Sequence, residues 1–297
     1  MVPDRLPRLR LADLTGRRAV VTGASSGIGF ATALGLAAAG STVVLAVRDQ
    51  SRGASAAARI QALCPGANVS VELVELGSLV SVAAFARRVG EAPVHLLVNN
   101  AGINAGPDER SADGFDLTVA VNYLGAWALT AGLWPALLAG AARVVNLGSL
   151  VAVRGRIGTG FGTPTGSTSR SYADSKLAQI VFAGELRHRS TAAAAGVHAV
   201  AAHPGWSQTR IVDPPPPAAG ERAGELIGAL QSASDGAQPV LLAATDPRPS
   251  AYYGPSRRWG AAGPAGPAKL PPGALVPGVG PRLWEMSTEL TGVPFEP

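Results

Sequence analysis

The chain has 297 residues, of which 47% are hydrophobic and 15% are charged, enough for one large domain with a substantial core. The net charge of +5 is spread along the sequence, which argues against a nucleic-acid-binding surface. The single cysteine, Cys64, excludes an intrachain disulfide and favours a cytoplasmic location. No apolar run reaches the ~18–20 residues of a membrane span. No metal site is predicted, because His203 has no second histidine or carboxylate at ligand spacing.

The order of apolar and helix-forming segments predicts an α/β fold. In chain order the segments are the strand Arg18–Val21, the helix Gly27–Ala39, the strand Thr42–Val47, the helix Arg52–Leu63, the strand Val69–Val74, the helix Leu79–Val89, the strand His95–Val98, one long helix Gly114–Leu138, the strand Arg143–Leu147, the helix Ser171–Arg189, the strand His198–Ala202 and a short helix Arg282–Leu290. This alternation predicts a single domain with a doubly wound parallel sheet flanked by helices, a Rossmann fold.

The segment Val20–Gly29 has the order strand, glycine-rich turn, helix. Gly23, Gly27 and Gly29 let the backbone turn tightly and approach a pyrophosphate, and the start of the helix supplies free N–H groups. A plain tight turn between a strand and a helix is the alternative reading. Because the turn follows the first strand and opens the first helix, it indicates a dinucleotide site.

Arg48 follows the second strand, where folds that prefer NAD usually place an acidic residue. A guanidinium there suits the 2′-phosphate of NADP through a bidentate, charge-assisted contact. Asp49 is the next residue, and a shift of one or two positions would instead place a carboxylate near the ribose. The sequence therefore predicts NADP(H) as cofactor and leaves NAD as the less favoured alternative.

Tyr172 and Lys176 lie four residues apart on a predicted helix, so they share one helix face. Lys176 is one of only two lysines in the chain. A nearby ammonium favours the charged form of a phenol, so this pairing predicts a tyrosine with a lowered pKa that serves as a general acid or base. The pattern is short and occurs often by chance, so its interpretation depends on the other motifs.

Together these motifs resemble the short-chain dehydrogenase/reductase family, with the closest likeness to retinol-dehydrogenase-like and protochlorophyllide-reductase-like members. The resemblance covers roughly Gly16 to Val293. The matching motifs are Thr22-Gly23-Ala24-Ser25-Ser26-Gly27-Ile28-Gly29, Asn99-Asn100-Ala101-Gly102, Val121-Asn122-Tyr123-Leu124-Gly125, Val144-Val145-Asn146-Leu147-Gly148-Ser149, Tyr172-Ala173-Asp174-Ser175-Lys176 and His203-Pro204-Gly205 followed by Thr209. Their order and spacing are strongly specific for the family.

The resemblance implies a role for each motif. Tyr172 is the proton donor, Ser149 holds the substrate oxygen, Lys176 also binds the nicotinamide ribose, and Asn122 holds a relay water. The implied cofactor contacts are Thr22, Gly23, Ser25, Ser26, Gly27, Ile28, Gly29, Arg48, Glu75, Leu76, Asn99, Asn100, Ala101, Gly102, Tyr172, Lys176, Pro204, Gly205, Trp206 and Thr209. Glu75 departs from the aspartate usual near the adenine, and Gly148 replaces the serine that commonly precedes the catalytic one.

The expected protein is an NADP(H)-dependent oxidoreductase that interconverts a carbonyl and an alcohol on a mostly apolar small molecule. A redox-neutral epimerase, dehydratase or cyclase on the same scaffold is the alternative. We expect Trp127 and Trp134 to lie in the core or at a subunit interface. The sequence is compatible with a homodimer and with a monomer.

Three regions organise the chain. Residues 1–15 form a basic N-terminal arm, residues 16–255 form the dinucleotide-binding catalytic domain, and residues 256–297 form a Pro/Gly-rich C-terminal extension with a short helix. Substrate loops are expected near residues 155–170 and 206–230, and the second contains four consecutive prolines.

Overall fold

Seven segments of the chain form parallel strands, and an eighth strand lies at one edge of the sheet. The computed structural model describes residues 9–207 and 230–297. The strands are Arg18–Thr22 (β1), Thr42–Val47 (β2), Val69–Leu73 (β3), Leu96–Asn99 (β4), Arg143–Leu147 (β5), His198–Ala202 (β6), Tyr252–Arg257 (β7) and Ala262–Pro267 (β8). Their order in the sheet is β3-β2-β1-β4-β5-β6-β7-β8, and only β8 runs antiparallel to its neighbour. The predicted doubly wound sheet is confirmed.

Helices cover both faces of this sheet. They are Gly27–Ala38 (α1), Gln50–Leu63 (α2), Leu79–Val89 (α3), Leu117–Val119 (α4), Gly125–Gly132 (α5), Trp134–Ala139 (α6), Thr168–Ala192 (α7), Ala233–Thr245 (α8) and Val279–Thr291 (α9). One core layer packs α1, α2 and α8 against the sheet, and the other packs α3, α5, α7 and α9. No helix among the described residues is both long and apolar enough to cross a membrane.

The strand order places one crevice at the centre of the sheet. β1 lies between β2 and β4 in the sheet. The chain therefore passes from β1 to β2 in one direction along the sheet and from β4 to β5 in the opposite direction. Ligands of open α/β sheets bind in such a crevice, outside the carboxyl ends of the strands. The glycine-rich turn after β1 and the Asn99-Asn100-Ala101-Gly102 segment at the end of β4 meet at this point.

Two predictions about the elements were wrong. The predicted long helix Gly114–Leu138 begins at Leu117, contains a π-helical turn at Ala120–Leu124 and is interrupted at Leu133, just before Pro135. The predicted boundary at residues 255/256 falls inside β7, so residues 256–267 belong to the sheet. Gly and Pro are depleted in strands, which explains why β7 and β8, of sequence YYGPSR and AGPAGP, were missed.

Some predicted features lie outside the described residues. They are the first eight residues of the N-terminal arm, the four-proline segment and Thr209. Within the other predicted substrate loop, Phe161 is buried and its ring packs edge-on against Tyr123 at 5.6 Å. The loop that contains Phe161 therefore packs against the core shortly before α7 begins.

Candidate active site

The glycine-rich turn leaves the start of α1 open toward the crevice. Gly23 and Gly27 have φ values of +66° and +59°, which favour glycine. A side chain at Gly29 would overlap the carbonyl oxygen of Gly23 and the side-chain nitrogen Nδ2 of Asn100. Ser26 is the N-cap and makes no side-chain capping bond, so the first N–H groups of the helix remain available to a phosphate.

Two predicted cofactor contacts lie behind the crevice and support it. The Thr22 hydroxyl accepts hydrogen bonds from the amides of Asn100 and Ala101, at 3.0 Å each. The buried Asn99 side chain donates to Asn146 Oδ1 at 2.8 Å and to Thr130 at 3.1 Å. The hydrogen bonds of the Thr22 and Asn99 side chains help to hold β1, β4 and β5 together. Both residues therefore position the crevice from behind and do not line it.

The adenosine end of the crevice carries two arginines. Arg48 follows β2, and Arg52 lies in the first turn of α2, four residues later; both line the cleft. Asp49 is the N-cap of α2, and its carboxylate accepts from the Arg52 amide and the Ser51 hydroxyl at 3.0 Å each. These bonds lower the pKa of Asp49 and hold its carboxylate on the helix end. Arg52 was missed in the sequence, although its position in the first turn of the helix that follows Arg48 could have indicated it.

Glu75 and Leu76 line the same cleft, where the sequence predicted them. Glu75 Oε1 accepts from the amide of Gly77 at 3.0 Å, and the Glu75 amide donates to Ser81 Oγ at 2.9 Å. The longer glutamate side chain is thus folded back onto its own loop.

Ser149, Tyr172 and Lys176 are brought together by two neighbouring elements. Ser149 directly follows β5, and Tyr172 and Lys176 lie one turn apart on α7, which packs against β5. The Tyr172 hydroxyl lies near enough to the Ser149 side chain for that hydroxyl to lower the pKa of Tyr172, and Ser149 Oγ also accepts from the Val151 amide at 3.5 Å. The Lys176 ammonium donates to the Leu147 carbonyl oxygen at 3.2 Å and lies 5.7 Å from the centre of the Tyr172 ring. Ser149, Tyr172 and Lys176 all line the cleft.

Burial governs the protonation of this group. It raises the pKa of Tyr172 to about 12, against the opposing effect of the hydrogen bond with Ser149. It lowers the pKa of Lys176 to about 8. The prediction that Lys176 lowers the pKa of Tyr172 was wrong, because the ammonium is itself desolvated and points to the Leu147 carbonyl. At neutral pH Tyr172 carries its proton, the form that can donate it.

Asn122 lies in the π-helical turn and is hydrogen-bonded through both its side chain and its main-chain carbonyl. Its Oδ1 accepts from the Ile103 amide at 2.7 Å, and its Nδ2 donates to the Ile103 carbonyl and to Ser175 Oγ at 3.0 Å each. Its main-chain carbonyl accepts a short hydrogen bond from Gln179 Nε2. The resemblance implied that Asn122 holds a relay water, which stays a prediction. The described contacts show that Asn122 also joins Ile103, which lines the cleft, to α7.

The loop after β6 closes one side of the cleft. Pro204, Gly205 and Trp206 line it, as predicted from the motif, and the Trp206 amide donates to the Ala261 carbonyl at 2.8 Å. His203 is buried, accepts from the Gly205 amide at 3.3 Å, and has a pKa lowered by burial to about 4. It is a neutral, structural residue, and no group of three or more potential metal ligands occurs in the described part of the chain.

The cleft has a volume of about 420 Å³ and extends from the glycine-rich turn to Ser149, Tyr172 and Lys176. Of the predicted site residues it is lined by Gly23, Ser25, Ser26, Gly27, Ile28, Gly29, Arg48, Glu75, Leu76, Asn100, Ala101, Gly102, Ser149, Tyr172, Lys176, Pro204, Gly205 and Trp206. Open helix N–H groups, two arginines and a lysine are donors suited to the pyrophosphate, a 2′-phosphate and ribose hydroxyls. The residues present therefore fit a nicotinamide dinucleotide.

Two solved structures share this architecture. An uncharacterised protein of Mycobacterium paratuberculosis superposes with a TM-score of 0.79 and 34% identity, over 97% of each chain. An NAD(P)-dependent gluconate 5-dehydrogenase of Beutenbergia cavernae, with NADP bound at low occupancy, superposes with a TM-score of 0.62 and 31% identity. That match covers 79% of this chain and 91% of the other.

Sequence comparison agrees with the geometry of the site. The family model for short chain dehydrogenases matches residues 17–217, which include the glycine-rich turn and the Ser149, Tyr172 and Lys176 group. Retinol dehydrogenase 13 of Mus musculus is 39% identical over 206 residues, which make up 67% of this chain and 61% of that protein. The chain thus spans less than two thirds of the length of that relative. It belongs to the short-chain dehydrogenase family, and within it resembles the retinol dehydrogenases.

Proposed function

We propose that this protein is an NADP(H)-dependent oxidoreductase that interconverts a carbonyl and an alcohol on a mostly apolar small molecule. One observation carries the proposal: Ser149, Tyr172 and Lys176 lie in the same cleft as the open end of α1. Ile103, Val121 and Trp206, which also line the cleft, support an apolar substrate. The substrate class and the preference for NADP rest on these residues and on the family.

NADP(H), when bound, supplies or accepts the hydride at the substrate carbon. In the reductive direction the Tyr172 hydroxyl gives its proton to the carbonyl oxygen, which becomes the alcohol oxygen. Ser149 donates a hydrogen bond to the same oxygen and stabilises its developing negative charge. The phenolate left on Tyr172 recovers a proton that the Lys176 ammonium supplies, and the neutral amine then takes up a proton from solvent. The lowered pKa of Lys176 makes the first of these transfers easier.

The proton donor can be tested by replacing Tyr172 with phenylalanine. We expect Tyr172→Phe to lose at least about 99% of NADPH oxidation with a carbonyl substrate, because general acid catalysis contributes roughly 10²–10⁴-fold. NADPH affinity should change little, since only the phenolic oxygen is removed. Absorbance at the NADPH band, following a panel of apolar aldehydes and ketones, measures the rate.

Tyr253→Phe is the matched control for this substitution. Tyr253 is hydrogen-bonded to Asp246 at 2.7 Å and does not line the cleft, so its variant should keep wild-type turnover. Retention of more than a tenth of the rate in Tyr172→Phe would contradict the assignment. Product formation by wild type without consumption of NADPH would point to a redox-neutral reaction instead.

Cofactor choice is carried by Arg48 and Arg52, the two guanidiniums that line the cleft beside α2. A charge-assisted contact with the 2′-phosphate contributes roughly 1.5–3 kcal/mol. We therefore expect Arg48→Ala to weaken NADPH binding by about one to two decades, and the double variant Arg48→Ala/Arg52→Ala to weaken it further. NADH binding should stay nearly constant, and calorimetry measures both.

Arg87→Ala serves as the control, because Arg87 is exposed on α3 and does not line the cleft. Equal losses for NADPH and NADH in the Arg48 variant would assign Arg48 a structural role. Tighter binding of NADH than NADPH by wild type would overturn the preference for NADP.

A further inference from the structure

Asp174 is a buried carboxylate on α7 that the catalytic proposal does not use. It is 7% exposed, and its Oδ1 accepts a hydrogen bond from the Arg156 amide at 2.7 Å. Its Oδ2 lies 3.6 Å from Nε of Arg170, one turn earlier on the same helix. Carboxylates are seldom buried unless they are paired or hydrogen-bonded, so the group that a buried carboxylate holds is informative.

The negative charge of Asp174 does not account for its place in the fold. Burial raises the pKa of Asp174 above its ordinary value, and the hydrogen bond from Arg156 and the charge of Arg170 offset this only in part. At neutral pH the ionised carboxylate is therefore less stable in the folded protein than in the unfolded chain. What Asp174 contributes is a hydrogen-bond acceptor at a fixed position beside the Arg156 main chain.

The segment that Asp174 holds begins at the proposed catalytic serine. Ser149 is the N-cap of the helical turn Leu150–Arg154. The Gly155 amide closes this turn by donating back to it at 3.0 Å, and Arg156 follows directly. A short hydrogen-bonded turn therefore joins Ser149 to the residue whose amide Asp174 accepts.

Gly155 allows this segment to approach α7 closely enough for the hydrogen bond to form. A Cβ at Gly155 would overlap the Ala173 carbonyl oxygen and would lie 2.7 Å from the Cβ of Leu177. Both neighbours belong to α7, on either side of Asp174. Only glycine leaves room for the main chain to pass so near to the helix.

α7 thus holds the main chain on both sides of Ser149. Before the serine, the Lys176 ammonium donates to the Leu147 carbonyl at 3.2 Å. After the serine, the Arg156 amide donates to Asp174 at 2.7 Å. The second of these two links is the one to which the resemblance assigns no role.

We propose that Asp174 is a positioning residue that sets the place of Ser149 relative to Tyr172, an inference that rests on the proposed function. Ser149 and Tyr172 act on the same substrate oxygen, so the separation of their hydroxyls must stay constant for efficient catalysis. They belong to different elements, and Asp174 joins those elements two residues after Tyr172. Loss of this link should lower turnover and leave the cofactor site at the other end of the cleft intact.

Two substitutions at Asp174 separate its role as acceptor from its charge. Asp174→Leu removes the acceptor at similar size, whereas Asp174→Asn keeps an oxygen that accepts from the Arg156 amide. Hydrogen exchange of residues 150–156 should be at least about tenfold faster in the leucine variant, because the segment loses its anchor. We expect kcat to fall at least about tenfold with NADPH affinity unchanged. Asp174→Asn should restore both wild-type values.

A substitution on the other side of the hydrogen bond tests the same link without altering α7. Arg156→Pro removes the donor N–H, and the extended conformation of Gly155, at φ −69° and ψ 154°, is the one preferred before proline. It should reproduce the loss of kcat seen in Asp174→Leu, and the double variant should lose little more than either single one. Arg156→Ala is the matched control, because it removes the exposed side chain and keeps the amide.

Glu185→Leu controls for a general loss of stability. The Glu185 side chain on α7 is as buried as that of Asp174, pairs with an arginine four residues away and does not line the cleft. Even if this variant melts earlier, its kcat should match that of wild type.

The outcomes distinguish the two proposals. Unchanged exchange in Asp174→Leu, or faster exchange with a wild-type kcat, would overturn the positioning role. Equal losses in the leucine and asparagine variants would show that charge matters and would overturn the role as acceptor. A wild-type protein that reduces no carbonyl compound would overturn the proposed function, and the exchange data would still decide whether Asp174 anchors the segment after Ser149.

Discussion

At the residue scale, the site depends on how two polar side chains are buried together. Lys176 is 3% exposed, and its only hydrogen bond to a described residue goes to the Leu147 carbonyl. Burial therefore disfavours its ammonium form, which is the form that can give a proton to Tyr172. The sequence predicted which residues meet here. It could not predict the direction of the Tyr172 pKa shift, since that depends on the depth of burial and on where the ammonium points.

The buried ammonium should cost stability in a pH-dependent way. The pKa of Lys176 is about 8 in the folded protein against 10.5 ordinarily, so between these values the unfolded chain binds more protons. Stability then rises as pH increases from about 8 to 10.5, and the full penalty remains below pH 8. We expect Lys176→Met to raise the free energy of unfolding at pH 7 by up to roughly 3 kcal/mol, and by much less at pH 10.

Thermal melts at both pH values measure this difference, and Lys269→Met is the control. Lys269 is the other lysine of the chain and is exposed, so its variant should melt like wild type at both pH values. A Lys176→Met variant that is less stable than wild type at pH 7 would show that the bond to Leu147 outweighs the cost of burial.

At the element scale, the π-helical turn Ala120–Leu124 is the feature that could least be predicted from the sequence. Apolar periodicity predicted a helix there, but one π-helical turn of five residues is too short to change the periodicity of the surrounding helix visibly. The turn places the Asn122 carbonyl next to the Gln179 amide on α7 and the Asn122 side chain next to the Ile103 backbone. Such turns are frequent at functional sites because they redirect individual backbone groups. The strands β1–β6 were predictable because each is short, apolar and followed by a turn.

Gln179 should therefore act as a positioning residue for this turn. Gln179→Leu leaves the buried Asn122 carbonyl without its donor, which costs about 1–3 kcal/mol of stability. Because Asn122 holds Ile103 at the cleft, we also expect about a tenfold lower turnover, with Gln179→Asn restoring part of it. Chemical unfolding and steady-state kinetics measure the two effects.

Gln61→Leu is the control, because it makes the same chemical change at an exposed position on α2 and should alter neither stability nor turnover. If Gln179→Leu loses stability yet keeps wild-type turnover and its pH profile, Gln179 has a purely structural role.

At the scale of the whole molecule, the C-terminal segment completes the core. α9 packs on α7, and Trp284 lies 4.5 Å from Trp127 and 5.9 Å from Phe182, between the centres of the rings. The Tyr123 hydroxyl, next to Asn122, is hydrogen-bonded to Ser287 of α9 at 2.6 Å. Of the two options left open for Trp127, the structure selects the core. Composition alone could not show that the C-terminal segment packs into the core, because its many Gly and Pro residues are typical of an extended segment outside the core.

Trp284→Ala should measure how much the core depends on α9. Removing a buried tryptophan costs about 3–5 kcal/mol, so we expect the melting temperature to fall by roughly 5–15 °C. Trp259→Ala removes the same type of side chain from an exposed site and should leave the melting temperature unchanged. Because α9 covers α7 and Trp127 within one chain, a homodimer, if one forms, should use another face. Light scattering should therefore give Trp284→Ala the same mass as wild type below its melting temperature, and a change in mass would show that the face under α9 takes part in assembly.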